Sequence, residues 1–423
     1  MSTPLSKPLS LPCGAKLSNR LCKSAMSEGL ADANQHSTPR LEQLYRTWAQ
    51  CGAGLLLSGN VQVDRLHLER PGNVVIHDRS GLEALKRLAA VGKSGGAHFW
   101  PQLAHTGRQV IKEINPCPMA PSVVEVDPPR GLPISFAPPR EMTEDDIANV
   151  IEQFRFAAGQ VREAGFTGIE FHAAHGYLFS QFLSPRTNLR KDAWGGSLVN
   201  RARLLLETLK AVRVVVGPDF PIGIKLNSSD FQKGGFTNAE CVELVGLLNH
   251  SSLDLLELSG GSLEQPKLVG VTLKDEGEDG RRPGNASAVQ REAYFLDFAA
   301  KVKKVARMPV MVTGGFRSKA GMEAALAAGE LDVVGIGRPL VADPRAAHRL
   351  LNGEAEVAAT PEKNIDVFKL MPWLNVQLNR LGGGLQPDLA MSGDEAVGIF
   401  MQAEGRVLSD LMSGPAATRE SSA

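Results

Sequence analysis

The sequence predicts an α/β protein of the (β/α)8 TIM-barrel class, with long strand–helix loops and a C-terminal extension. Three observations predict it: eight short apolar runs along the chain, helical periodicity between several of them, and no GxGxxG after the first run. The last of these argues against a doubly wound open sheet, whereas eight alternating strand–helix units imply closure into a barrel. The chain has 423 residues, within reach of a single α/β barrel.

The strand candidates are Leu21–Ser27, Gly54–Gly59, His98–Ala104, Gly168–His172, Ile222–Asn227, Leu253–Ser259, Val310–Thr313 and Val333–Gly337. Between them, Ile147, Val150, Ile151, Phe154, Ala158 and Val161 recur at helical spacing. Thr143-Glu-Asp-Asp146 opens that segment as a capping box with Asp in place of Glu. Residues 111–142 are rich in proline and aperiodic, and read as an excursion over the barrel mouth. Residues 260–287 are polar and glycine-rich, and read as a second loop or lid after the sixth strand. Loops this long in a compact domain are usually functional or disordered. The division expected is a catalytic barrel over 1–355 and an extension over 356–423, disordered after about Met412 where the tail is small and polar.

Charge is balanced, with 46 basic and 46 acidic residues and no long run of either sign, which argues against nucleic-acid and membrane partners. The five cysteines, Cys13, Cys22, Cys51, Cys117 and Cys241, are scattered without a CxxC pair, as suits free thiols in a reducing compartment. The first residues lack a signal-peptide core and no apolar run reaches spanning length, so a cytoplasmic location is expected.

Barrels place their chemistry on the loops after the carboxyl ends of the strands. After the fourth strand, His172, His175 and Tyr177 leave within six residues with small residues between them. Two neutral imidazoles suit an oxyanion site, and an un-ionised phenol suits proton donation. The competing readings are a metal site, for which no third ligand is evident, and polar groups with no catalytic role. Gln102 puts a carboxamide at the end of the third strand, matching the donor–acceptor edge of a pyrimidine. Lys225 stands among apolar neighbours in the fifth strand and needs an anionic partner, either a ligand or one of Glu170 and Glu257. Gly314, Gly315 and Phe316 after the seventh strand, with Gly337 and Arg338 after the eighth, form an anion site where barrels hold phosphate.

These residues resemble the Old Yellow Enzyme family, the FMN-containing NADH:flavin oxidoreductases, over roughly residues 5 to 350. Its most specific block is IEFHAAHGYLFSQFLSPRTNLRKDAWGGSLVNRARL; LSNRLCKSAMSE, CGAGLLLSGNVQVD, PQLAHTGRQ, PIGIKLNSSD and the TGGF…GIGRPL pair accompany it in order. The resemblance implies that Ala25, Met26 and Ser27 end the first strand against the flavin, and that Asn60 meets its ring. It further implies that Gln102 holds the pyrimidine edge, and that Lys225 stabilises the reduced ring near its N1. Gly314, Gly315, Phe316, Gly337 and Arg338 would hold the phosphate. His172 and His175 would grip the substrate oxygen while Tyr177 protonates the α-carbon.

The implied activity is an ene-reductase: FMN takes hydride from NADH or NADPH and an enone then accepts it. Ser27 replaces the family's usual cysteine or threonine, Lys225 replaces arginine, and Asn60 replaces a smaller residue. No cysteine follows Cys241, so an appended iron–sulfur cluster is not expected. Two alternatives stay open. One is an FMN barrel with another acceptor, such as an NADH oxidase, a dehydrogenase or a biosynthetic reductase; the other is a flavin-free metal- or phosphate-binding barrel. No structural metal is expected, and a homodimer is among the options for assembly.

Overall fold

The computed structural model describes residues 3–128, 134–265 and 288–413, and side chains for all of these but 288–295. Eight parallel strands form its wall: β1 (Leu21–Lys23), β2 (Leu55–Gln62), β3 (His98–Ala104), β4 (Ile169–Ala173), β5 (Ile222–Asn227), β6 (Leu255–Ser259), β7 (Val310–Thr313) and β8 (Val333–Ile336). Each pairs with the next, and β1 pairs with both β2 and β8, Cys22 standing opposite Leu55 and Gly335. That pairing closes the cylinder predicted from the sequence.

Three strands match the expected runs to the residue. The first differs most. β1 stops at Lys23, and Ala25, Met26 and Ser27 lie on the segment that leaves it. The last wall contact is the Ser24 N–H donating to the Ile336 carbonyl at 3.0 Å. Beyond it the chain turns against Gly59, where a Cβ would stand 2.3 Å from the Met26 carbonyl and 2.2 Å from a Glu28 carboxylate oxygen. Only a glycine admits that approach. β2 runs past its expected end and breaks register between Leu57 and Asn60, which brings Asn60 to the carboxyl end opposite Gln102.

The main helices that follow the strands are α1 (Pro39–Ala49), α2 (Leu82–Gly92), α3 (Glu144–Ala164), α4 (Leu198–Val216), α5 (Asn238–Leu248), α6 (Ala288–Lys303), α7 (Lys319–Ala327) and α8 (Ala346–Asn352). α3 begins with the expected capping box, Thr143 and Asp146 each satisfying the other's backbone N–H. Two more helices follow the barrel, α9 (Leu370–Gly382) and α10 (Gly393–Ser413). Trp373 is fully buried and donates its indole N–H to the Met391 carbonyl at 3.0 Å, fixing α9 against the turn that leads into α10.

Inside the barrel, Leu55, Leu57, Trp100, Leu255, Met311 and Val333 pack with Leu9, Leu11 and Leu17. The latter three come from an N-terminal hairpin, Leu9–Ser10 paired with Lys16–Leu17, which corks the end where the strands begin. The carboxyl ends are left for chemistry.

Of the two long loops, 111–142 carries a two-residue parallel pairing of Met119–Ala120 with Arg140–Glu141. Arg108 donates to the Val124 carbonyl at 3.0 Å and pairs with Glu264 at 2.8 Å, joining this loop to the segment after β6. Residues 266–287 of the second loop and the tail from residue 414 lie outside the described residues. No helix among the described residues is long and apolar enough to cross a membrane.

Candidate active site at the carboxyl ends of the strands

One cavity opens at these strand ends, lined by thirteen of the fourteen site residues expected from the sequence: Ala25, Met26, Ser27, Asn60, Gln102, His172, His175, Tyr177, Lys225, Gly314, Gly315, Gly337 and Arg338. Phe316 does not line it. Its ring is 1% exposed within the hydrophobic core, and its carbonyl accepts from the Arg317 guanidinium at 2.8 Å. An apolar ring at that turn gains more from core packing than from facing an anion, so only the backbone of Phe316 could serve a phosphate there.

β4 delivers His172 directly. Its Nδ1 accepts from the Ala174 N–H at 3.3 Å, which leaves the proton on Nε2 as a donor. His175 follows with φ of 59°, a left-handed backbone uncommon for a side chain of this size. Its N–H donates to Asn227 Oδ1 at 3.1 Å, and its Nε2 lies 2.8 Å from Ser259 Oγ. The two imidazoles meet edge to face at 5.0 Å, and the Tyr177 ring lies 4.6 Å from that of His172. Burial pushes His172 well below its ordinary range, with His175 and Lys225 adding to it. Burial and then Lys225 push His175 down to about 3. Both rings are therefore neutral donors at physiological pH.

Tyr177 Oη accepts from Asn60 Nδ2 at 3.3 Å, and the same amide donates to Ser27 Oγ at 3.3 Å. The phenol thus keeps its own proton for another acceptor. Burial and the neighbouring Glu69 charge raise the phenol well above its usual value. Glu69 lines the cavity too, holds a hydrogen bond with Ser27, and is raised above its usual range by burial. Sequence reasoning missed Glu69; the loop after β2 carries no pattern that points to it.

At the opposite side the ends of β7 and β8 make a cradle. Gly314 and Gly315 have φ of 128° and 82°, which a side chain would strain. A Cβ on Gly335 would strike Thr313 Oγ1 at 2.0 Å. Arg317 joins Arg338 on this wall; its Nη2 pairs with Glu362 at 2.6 Å, while its Nε is buried without a hydrogen-bond partner. Two guanidinium groups beside glycine-rich backbone suit a phosphate, and Gln102, Ser27, Asn60 and Lys225 offer the mixed donors and acceptors a flavin ring needs. The residues present therefore fit flavin mononucleotide. Arg317 was legible only as the residue after the TGGF block.

Neither the described residues of loop 111–142 nor residues 260–265 line the cavity, and residues 129–133 and 266–287 lie outside the described residues. α9 forms that wall instead, through Leu370, Met371, Leu374, Asn375 and Leu378. Arg70 holds the helix in place by donating to Asn375 Oδ1 while pairing with Glu404 on α10.

Outside the cavity, Asp64, His67 and His105 bring three potential ligand atoms within 4.8 Å of one another. The His67 and His105 rings stack at 4.2 Å and 27°, so their in-plane lone pairs run side by side and do not converge. His67 already faces Asp64 through Nδ1 at 3.1 Å and accepts from the Met119 N–H through Nε2 at 3.2 Å.

Residues 4–356 match the model of the NADH:flavin oxidoreductase / NADH oxidase family. The chain is 35% identical over 418 residues to the NADH-dependent flavin oxidoreductase nadA of Aspergillus parasiticus, covering 95% of this chain and 91% of that one. It is 38% identical over 354 residues to the NADH-dependent flavin oxidoreductase iliE of a Neonectria species, covering 80% of this chain but only 46% of that longer relative. Among solved structures, morphinone reductase in complex with tetrahydroNAD superposes with a TM-score of 0.67 at 26% identity, covering 86% of this chain and 93% of that one.

Proposed function

The chain belongs to the NADH:flavin oxidoreductase / NADH oxidase family, and from that premise we propose that it reduces activated carbon–carbon double bonds of α,β-unsaturated carbonyl compounds. FMN is the cofactor, with NADH or NADPH as electron donor. When bound, FMN supplies the hydride chemistry, and the protein supplies orientation and charge stabilisation. Gln102 and Lys225 would hold the ring, and Gly314, Gly315, Arg317, Gly337 and Arg338 the phosphate.

The observation that carries the reading is the grouping of neutral His172 and His175 with a phenol whose oxygen already accepts from Asn60. The imidazole donors face the cavity where a carbonyl oxygen turning into an enolate oxygen would need them. Tyr177 would hand its proton to the α-carbon, and Asn60 would steady the phenolate left behind. α9 supplies an apolar surface for the rest of the acceptor through Met371, Leu374 and Leu378.

Anaerobic reduction by NADH or NADPH, followed by rapid mixing with an enone, tests this. Tyr177→Phe is expected to slow reoxidation by the enone by about a hundredfold or more while leaving flavin reduction within a fewfold. Equal slowing of both half-reactions, or reoxidation by oxygen but by no enone, nitroalkene or maleimide, overturns the assignment.

A further inference from the structure

Beneath Lys225 and Gln102, away from the cavity surface, lie two carboxyl groups that the proposed reaction does not use. Glu170 on β4 and Glu257 on β6 are both 0% exposed. Glu257 stands opposite Lys225 in the strand register, with its Oε1 3.0 Å from Nζ. Glu170 stands opposite Gln102, whose Nε2 donates to its Oε2 at 2.6 Å. On β5 the residue facing Glu170 is Gly223, which puts no side chain between the two acids.

The two carboxyl groups are within hydrogen-bonding reach of each other. Beyond the Lys225 ammonium, neither Glu170 Oε1 nor either oxygen of Glu257 has a hydrogen-bond partner. Two carboxylates at 0% exposure are not both expected to stay ionised beside a single ammonium. A proton between them gives each orphaned oxygen a role, donor on one side and acceptor on the other. Burial and the neighbouring Glu257 indeed raise Glu170 well above its usual range. Lys225, despite burial, is raised by Glu257 and Glu170, so the ammonium is charged.

We propose that Glu170 and Glu257 share one proton and one negative charge, and that this charge partly cancels Lys225 and so lowers the reduction potential of the bound flavin. A cation at the ring favours the reduced state, and an anion 3.0 Å behind that cation weakens the preference. The pair acts through Lys225 and Gln102, so both acids are positioning residues. The inference needs the family's flavin but not the enone acceptor, so a failed acceptor assay leaves it standing.

The test is a spectroelectrochemical titration of the FMN-bound protein, combined with infrared spectroscopy of its carboxyl groups. Because the charge is shared, Glu170→Gln and Glu257→Gln are each expected to shift the flavin's reduction equilibrium by less than tenfold, the remaining acid carrying the charge. The double variant is expected to shift it towards reduction by tenfold or more, about 30 mV for a two-electron couple. In the double variant, Lys225→Met should reverse the shift. In the infrared, the wild-type protein should show a protonated buried carboxyl band that both single variants lose. A single variant that moves the equilibrium by tenfold, or a double variant that does not, overturns the proposal. Should the double variant not fold, the infrared spectrum decides alone: no protonated carboxyl in the wild type, or a band surviving in either single variant, overturns it.

Discussion

Lys23 on β1 and Lys225 on β5 are both buried, yet they face opposite sides of the barrel wall. Lys225 points inward to the cavity, 3.0 Å from Glu257. Lys23 points outward into the layer beneath α1, where its ammonium lies 4.2 Å over the Trp48 ring and donates to the Leu57 carbonyl at 2.7 Å and Tyr45 Oη at 3.3 Å. Burial lowers Lys23 to about 8 in spite of Glu28 nearby, whereas the acids beside Lys225 raise it. Burial alone therefore does not settle whether a lysine carries charge; the first anion beside it does. The inner lysine sits with its acids beside the cavity, and the outer one is a packing element that sheds its proton at a lower pH than an ordinary lysine.

The largest effect that would sharpen this contrast is expected from Lys225→Met. Removing one partner of a buried pair leaves an uncompensated acid, so stability at neutral pH should fall by about 3 kcal/mol or more. Flavin reduction by NADH should slow by roughly a hundredfold. Chemical denaturation and anaerobic stopped-flow measure the two, and a variant as stable and fast as wild type would break the comparison.

A middle effect concerns pH. Lys23 has a folded value of about 8, below the ordinary 10.5. Between these values the unfolded chain binds more protons, so stability rises with pH there, by at most about 1.4 kcal/mol per unit. Lys225 is shifted the other way, so its contribution is unchanged in that window and is lost only at higher pH. Denaturation midpoints from pH 8 to 10.5 should climb in wild type more steeply than in Lys23→Met. Parallel curves would contradict the low value.

The smallest effect is expected from Tyr45→Phe, which removes the phenol that bonds both Lys23 and Glu28. A loss of about 1–2 kcal/mol in thermal or denaturant unfolding is expected, with flavin reduction unchanged.

Much of this was legible beforehand, and the reasons are specific. Strands such as His98–Ala104 and Ile222–Asn227 are apolar because both sheet faces are covered, so their runs end where the strands end. The residues after β4 were readable because histidines and a tyrosine at a strand end have no bulk function to hide behind. Lys225 was readable for the same reason, and its partner proved to be Glu257, one of the two acids the sequence offered. Lys23 was passed over although the expected run Leu21–Ser27 held it in its interior, because no acid stands beside it in sequence to mark it as buried.

α9 was illegible for a different reason. Leu370, Leu374 and Leu378 recur every fourth residue, which marks an apolar face but not what that face meets. Only the tertiary pins, Arg70 with Asn375 and Glu404, turn the extension into a cavity wall. At Phe316 the sequence names the turn but not the direction of the ring, which is buried in the core.

The N-terminal hairpin has a further bearing on traffic. With Leu9, Leu11 and Leu17 stopping the far end of the cylinder, the cavity among the described residues opens at the other end, and under the proposed reaction the nicotinamide and the acceptor would share that doorway. They have to queue. A bulky visitor lingering at the threshold would then hold up each of the others, so an excess of the electron donor should itself obstruct turnover.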